Sequence, residues 1–162
     1  MTITTPTQAK TLSIKNCRLI LENKILDEAT IVIEDGILTS ISTNAAAPEG
    51  AIDAYGCFVM AGLVDSHSDG LEKEISPRPN VRFDTNYALS SYESRVRAAG
   101  ITTIAHGVGY QDNPKMGRSV EGAKELRKVI LSRASNPDSQ VTHKVLHRIE
   151  ARDEVGVEAL IQ

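Results

Sequence analysis

What most constrains this chain is the alternation of strand and helix patterns that starts after Gly62. "LVDSH", residues 63–67, is a short apolar strand of the kind buried on both faces. Residues 86–99, "NYALSSYESRVRAA", read as a helix, with Asn86 placed as its cap and Gly100 as its stop. "ITTIAHGV", residues 101–108, is a second strand, β-branched and apolar. Residues 118–134, "RSVEGAKELRKVILSRA", place Val120, Ala123, Leu126, Val129, Ile130 and Ala134 at helical spacing. "VTHKVLHRIE" is a third strand, and "DEVGVEALIQ" opens a third helix. Consecutive strands separated by helices have room for a crossover and lie parallel, so this stretch predicts a parallel sheet.

Three parallel strands cannot close on themselves, and they leave an apolar edge unpaired. A closed (β/α)₈ barrel takes about 250 residues. The 162-residue chain is therefore expected to be the N-terminal part of a longer protein; the alternative is a small, complete open-sheet protein. Before Gly62 the pattern is different. "LSIKNCRLIL" and "ATIVIEDGILTSI" read as β-branched-rich strands, with Asp35-Gly36 a hairpin turn inside the second. "AIDAYGCFVMAG" adds two shorter apolar stretches. Residues 12–60 are read as a small antiparallel β subdomain, residues 1–11 as a flexible N-terminus, and 61–162 as the α/β part.

Composition narrows the function classes. A net charge of −3 argues against nucleic-acid and membrane-surface partners. No apolar run approaches the roughly 20 residues of a membrane span, and the polar N-terminus lacks a signal core, so the reading is cytoplasmic. Cys17 and Cys57 lack metal-ligand spacing and read as two buried thiols.

The candidate site is His67-Ser68-Asp69, at the end of the first parallel strand. An extended backbone sends alternate side chains to one face, so the imidazole and the carboxyl converge if the chain stays extended past His67. Such a pair suits a divalent cation, Zn²⁺ first, with Mn²⁺ or Fe²⁺ as alternatives. In parallel barrels the chemistry sits at this end of the strands.

The small β module, then "DAYG" and "GLVDSH" entering a parallel sheet, resembles the metal-dependent amidohydrolase superfamily. That pattern has Pro before the Gly and His-x-His at the strand end; here Ala61 and Asp69 stand in those places. His67-x-Asp69, Leu71-Glu72-Lys73, Pro77-Arg78-Pro79, Gly100-Ile101-Thr102-Thr103 and the His147 strand resemble one branch more closely. It is the branch that cleaves alpha-D-ribose 1-methylphosphonate 5-triphosphate in the C–P lyase pathway of phosphonate use. The resemblance covers residues 12–160. It implies a fold of the α/β class: a small β-sandwich-like sheet followed by the first three β/α units of a TIM barrel.

The resemblance also implies a hydrolase that takes a phosphorylated ribose phosphonate and releases diphosphate, with a divalent metal activating water. His67 and Asp69 become metal ligands, with Glu150 a third from the next strand end but one. Arg78, braced by two prolines, becomes the phosphate fork, supported by Lys73 and Arg82. His147 takes a place beside the substrate. His106, taken with Ala105 as the end of the second strand, where that branch leads one to expect an acidic residue, is left as ligand, substrate contact or neutral replacement. Catalytic residues are expected beyond Gln162, so the chain alone is expected to be inactive. Two other functions stay open: an amidohydrolase acting on a cyclic amide or N-acyl substrate, and a non-catalytic remnant that pairs its open edge with a copy of itself or a complementing chain.

Overall fold

The computed structural model describes residues 11–114, 117–150, 152 and 154–161. The chain forms two compact units, residues 1–61 and 62–162.

The first unit is a five-stranded sheet of β1 (Thr11–Ile20), β2 (Ile25–Glu34), β3 (Ile37–Thr43), β4 (Ile52–Asp53) and β5 (Phe58–Val59). β2 and β3 form the hairpin at Asp35-Gly36. Both turn residues stand at positive φ, 50° and 81°, as a two-residue turn matched to strand twist requires. The antiparallel expectation needs correction, because β4 and β5 run parallel to β1. The loop after β3 carries the chain back to the start of the sheet, so its return strands join in the same direction as β1. A small core of Cys17, Leu19, Ala29 and Ile31 holds the unit. Cys17 is buried, its thiol donating to the Ala29 carbonyl at 3.2 Å, whereas Cys57 is exposed and only one of the two thiols is a core residue.

The second unit is a parallel three-stranded sheet, order β6-β7-β8: β6 (Leu63–Ser68), β7 (Ile101–Tyr110) and β8 (Thr142–Ile149). Among the described residues four helices accompany it: α1 (Gly70–Ile75), α2 (Thr85–Ala98), α3 (Val120–Ala134) and α4 (Glu154–Ile161). These make three β/α units. α1 lies in a stretch to which the sequence pattern assigns no element. The cap of α2 is Asp84, whose carboxylate accepts from the Asn86 and Tyr87 N–H groups, rather than Asn86 itself. A carboxylate two residues earlier reaches two of the unpaired donors of the first turn. The α3 cap is Ser119, accepting from the Gly122 N–H at 3.0 Å.

The core of this unit joins Leu71 and Ile75 of α1, Ala88 and Leu89 of α2, Val108 and Tyr110 of β7, and Ala123 and Ile130 of α3. One face of β7 thus packs beneath the helices. Ile104, His106, Val108 and Tyr110 alternate onto that face, each at most 2% exposed. Ala105, Gly107 and Gly109 occupy the other. Among the described residues, no helix is long and apolar enough to cross a membrane.

Candidate functional site

β6 ends by delivering His67 and Asp69 to the same place. Ser68 between them turns the opposite way, its hydroxyl 2.7 Å from the Tyr92 hydroxyl of α2. His67 Nε2 lies 3.6 Å from Asp69 Oδ1, with both side chains about half exposed. The convergence does not come from an extended backbone, because Asp69 has already turned to φ −97°, ψ 7° as the residue before α1. The helix start carries the carboxyl back over the strand end.

Asp69 is engaged from β8 as well. Arg148 Nη1 donates to Asp69 Oδ1 at 2.8 Å, and Arg148 Nη2 to Glu72 Oε1 at 3.1 Å. Arg118 takes the other oxygen of Glu72, Nη2 to Oε2 at 2.5 Å. A charge ladder therefore runs His67, Asp69, Arg148, Glu72, Arg118 across the strand ends. Gly107 lies under its middle. A Cβ there would stand 2.7 Å from Asp69 Oδ1 and 3.0 Å from Arg148 Nε, so the ion pair needs a residue without one.

The other residues singled out by sequence are dispersed. Glu150 is exposed past the end of β8, on a separate shallow cleft with Gln111, Asp112, Asn113, Arg152 and Glu154. His147 is exposed and meets Tyr110 edge-on at 5.5 Å, on the side of β8 that also carries His143; burial of its ring, then the nearby Arg127, lowers its pKa. Arg78 is exposed in a tight turn with Val81.

Lys73 and Arg82 do meet. They line a cleft of 410 Å³ between α1, the segment leading into α2, and the start of α3. Arg118, Glu72, Thr85, Ser119 and Glu125 share its wall.

His106 is not at a strand end, because β7 continues to Tyr110. Its ring is buried and stacked on His143 at 5.2 Å between centroids. His106 Nε2 is 2.9 Å from His143 Nδ1, and His143 Nε2 is 3.1 Å from Glu93 Oε2. A carboxylate only accepts, so His143 donates from Nε2; with that ring neutral, as its burial-lowered pKa favours, its Nδ1 receives the His106 Nε2–H. Both rings are then neutral, and among the described residues His106 Nδ1 is left as a buried acceptor without a partner.

Burial, then the neighbouring His143 ring, pushes the His106 pKa down to about 4 against an opposing pull from Asp65. Burial also lowers His143, against the stabilising contact with Glu93. Burial works against an ionised Glu93, but hydrogen bonds from Arg133, the Gln140 N–H and His143 outweigh it and hold its pKa at about 2. His106 thus belongs to a buried polar network rather than to the strand-end cluster.

The residues that sequence reasoning passed over are Glu72, Gly107, Arg118 and Arg148. A signal for Arg148 was present: alternation along β8 puts it on the face opposite His143 and His147, the face that looks over Gly107.

The donor set can be tested against a divalent metal. A separation of 3.6 Å between His67 Nε2 and Asp69 Oδ1 suits two ligands that each bind one ion at about 2.0–2.2 Å. A catalytic ion takes about three protein ligands, and among the described residues no group of three His, Cys, Asp or Glu side chains is placed to hold one. The oxygen of Asp69 nearest His67 is also the one paired with Arg148. The described residues therefore do not by themselves fit a catalytic metal.

Comparison with known proteins gives the fold and its relatives. No family model matches the chain. It is 26% identical over 137 residues to alpha-D-ribose 1-methylphosphonate 5-triphosphate diphosphatase of Escherichia coli (strain K12), covering 85% of this chain and 36% of that protein. It is 39% identical over 93 residues to L-hydantoinase of Paenarthrobacter aurescens, covering 56% of this chain and 19% of that protein. The structure of 5-methylcytosine deaminase from Klebsiella pneumoniae superposes with a TM-score of 0.55 at 20% identity, over 83% of this chain and 35% of that one. The chain thus spans about a third or less of the length of these proteins, and it resembles the N-terminal part of amidohydrolase-superfamily members. Its fold is a small β unit followed by the first three β/α units of a TIM barrel.

Proposed function

We propose that this chain forms the phosphate-facing portion of a hydrolase that releases diphosphate from a ribose phosphonate triphosphate. The observation that carries the reading is the 410 Å³ cleft with Lys73, Arg82 and Arg118 on its wall, beside the strand ends. Three cations on one concave surface suit a polyanionic leaving group, and guanidinium forks match phosphoryl oxygens in pairs. Glu72 and Glu125 on the same wall reduce the net charge, and Glu72 is already offset by two arginines. The similarity to the diphosphatase over most of this chain supports the same substrate class. The divalent metal implied by the superfamily would need donors in addition to His67 and Asp69.

The test is diphosphate release from the ribose phosphonate triphosphate by the whole protein that carries these residues. Replacing Lys73 and Arg82 together by Ala is expected to raise KM at least about tenfold, the loss of roughly one charge-assisted hydrogen bond, with a smaller change in kcat. An unchanged KM removes the cleft from the reading.

A second reading is favoured by the 39% identity to the hydantoinase over 93 residues. There the substrate is a cyclic amide and the basic cleft is incidental. Ring opening of hydantoin without any diphosphate release would replace the first reading with this one.

A further inference from the structure

The strand-end pair has the spacing of two ligands to one ion, yet its carboxylate is already held by a cation. Asp69 Oδ1 lies 2.8 Å from Arg148 Nη1 and 3.6 Å from His67 Nε2. The guanidinium is anchored a second time, at Glu72 Oε1, 3.1 Å away. Its Nε is buried and, among the described residues, has no hydrogen-bond partner; both anchored contacts are made through the terminal nitrogens. Gly107 leaves the space in which the pair meets.

We infer that Arg148 acts as an internal competitor for metal at the strand end: its guanidinium stands in for a divalent ion on Asp69 Oδ1, the oxygen nearest His67, and an ion that bridges His67 Nε2 and that oxygen must displace it. The competition is electrostatic. Asp69 and Glu72 are each already paired with an arginine, so an added dication meets carboxylates whose charge is largely offset, with Asp65 beside His67 a further carboxylate in contact with the pair. It must also break a charge-assisted hydrogen bond, the stronger class of such bonds. Arg148 is thereby a residue that sets metal affinity without ligating metal. The inference does not depend on which substrate the protein takes.

The experiment is calorimetric titration of the purified chain with Zn²⁺ alone, in wild type, Arg148→Gln and Arg148→Met, each checked for folding by circular dichroism. Removing the guanidinium is expected to tighten Zn²⁺ binding at least about tenfold, the factor for roughly one such bond. Adding His67→Ala to Arg148→Gln is expected to abolish the gain, which locates it at this pair. Folded variants with wild-type affinity, or a gain that survives His67→Ala, overturn the inference.

A second measurement needs no variant. In wild-type chain labelled at arginine with ¹⁵N, Zn²⁺ that binds at His67 must shift the Arg148 guanidinium resonances as Asp69 is surrendered. Saturation of the His67 ring signals with Arg148 unmoved overturns the inference; coupled shifts of both support it.

Discussion

Glu93 is the most sensitive point in the second unit, and replacing it by Gln tests how the parallel sheet is tied to its helices. The carboxylate is 4% exposed and accepts four hydrogen bonds. Arg133 Nε and Nη2 of α3 donate at 2.6 and 2.9 Å, the Gln140 N–H at 2.9 Å, and His143 Nε2 of β8 at 3.1 Å. One side chain of α2 thus joins a second helix, the loop before β8 and β8 itself. Glutamine keeps one acceptor oxygen and turns an NH₂ group toward donors, leaving Arg133 as a charge without its partner. Removing one member of a buried pair costs about 3–5 kcal/mol. Domains of this kind have roughly 5–15 kcal/mol to lose.

The assay is urea denaturation followed by far-ultraviolet circular dichroism near neutral pH. Arg133→Met in the Glu93→Gln background should cost less than it does alone, because the two changes remove one interaction. Glu74→Gln is the control: it breaks the pair with Arg95, whose side chain is 62% exposed, and exposed pairs contribute about 0–1 kcal/mol. If Glu93→Gln costs no more than Glu74→Gln, the network does not hold the unit together and the reasoning fails.

Two further outcomes follow from other positions. His106 is buried neutral, with its pKa depressed to about 4 from an ordinary 6.5. Its contribution to stability is present above 6.5 and is lost as pH falls toward 4, by about 3 kcal/mol in all at roughly 1.4 kcal/mol per unit. His106→Gln should flatten that part of a stability-against-pH curve, and an unchanged slope would show the ring to be hydrated. Gly62→Ala would place a Cβ 2.1 Å from Thr102 Oγ1 and 2.7 Å from Thr102 Cβ. A cost of about 1–3 kcal/mol is expected, largely restored by adding Thr102→Gly, and thermal denaturation of the three variants reads both effects.

The parallel sheet was legible in the sequence because the apolar period changes at Gly62 from strand-like alternation to strand and helix in turn. The Asp35-Gly36 hairpin was legible because its turn needs positive φ at both central residues. Less visible was the direction of β4 and β5: two-residue strands carry no period, and only pairing to β1 defines them. The helix α1 escaped notice because six residues give too few turns for a pattern, and it forms by burying Leu71 and Ile75 in the shared core. His106 invited a functional role at an assumed strand end. That end lies four residues later, so the ring falls on the buried face instead. Pro77-Arg78-Pro79 reads as a braced phosphate fork, and local rigidity does not say where a turn points: the cleft is lined by Arg82 and Arg118, and Arg78 lies exposed outside that lining.

The strand-end cluster could not have been read one strand at a time. Asp69 follows β6 and Arg148 lies on β8, with β7 between them. Neighbouring strands lie about 4.8 Å apart, so the two backbones are separated by roughly 10 Å. A carboxyl on a short stem cannot span that, but an arginine can, provided nothing rises from β7 beneath it. Ala105, Gly107 and Gly109 give that face of β7 almost no side chains, and the positions where Cβ atoms would stand on Gly107 and Gly109 lie 3.0 and 3.6 Å from the Arg148 guanidinium. The opposite face of the same strand carries Ile104, His106, Val108 and Tyr110, the bulk that fixes the helices. Bulk on one side and bareness on the other is a single requirement of β7, because the strand must anchor a core and also serve as the floor over which its two neighbours make contact. The sequence "IAHGVGY" writes that requirement at alternate positions, and it becomes readable once the order β6-β7-β8 is known.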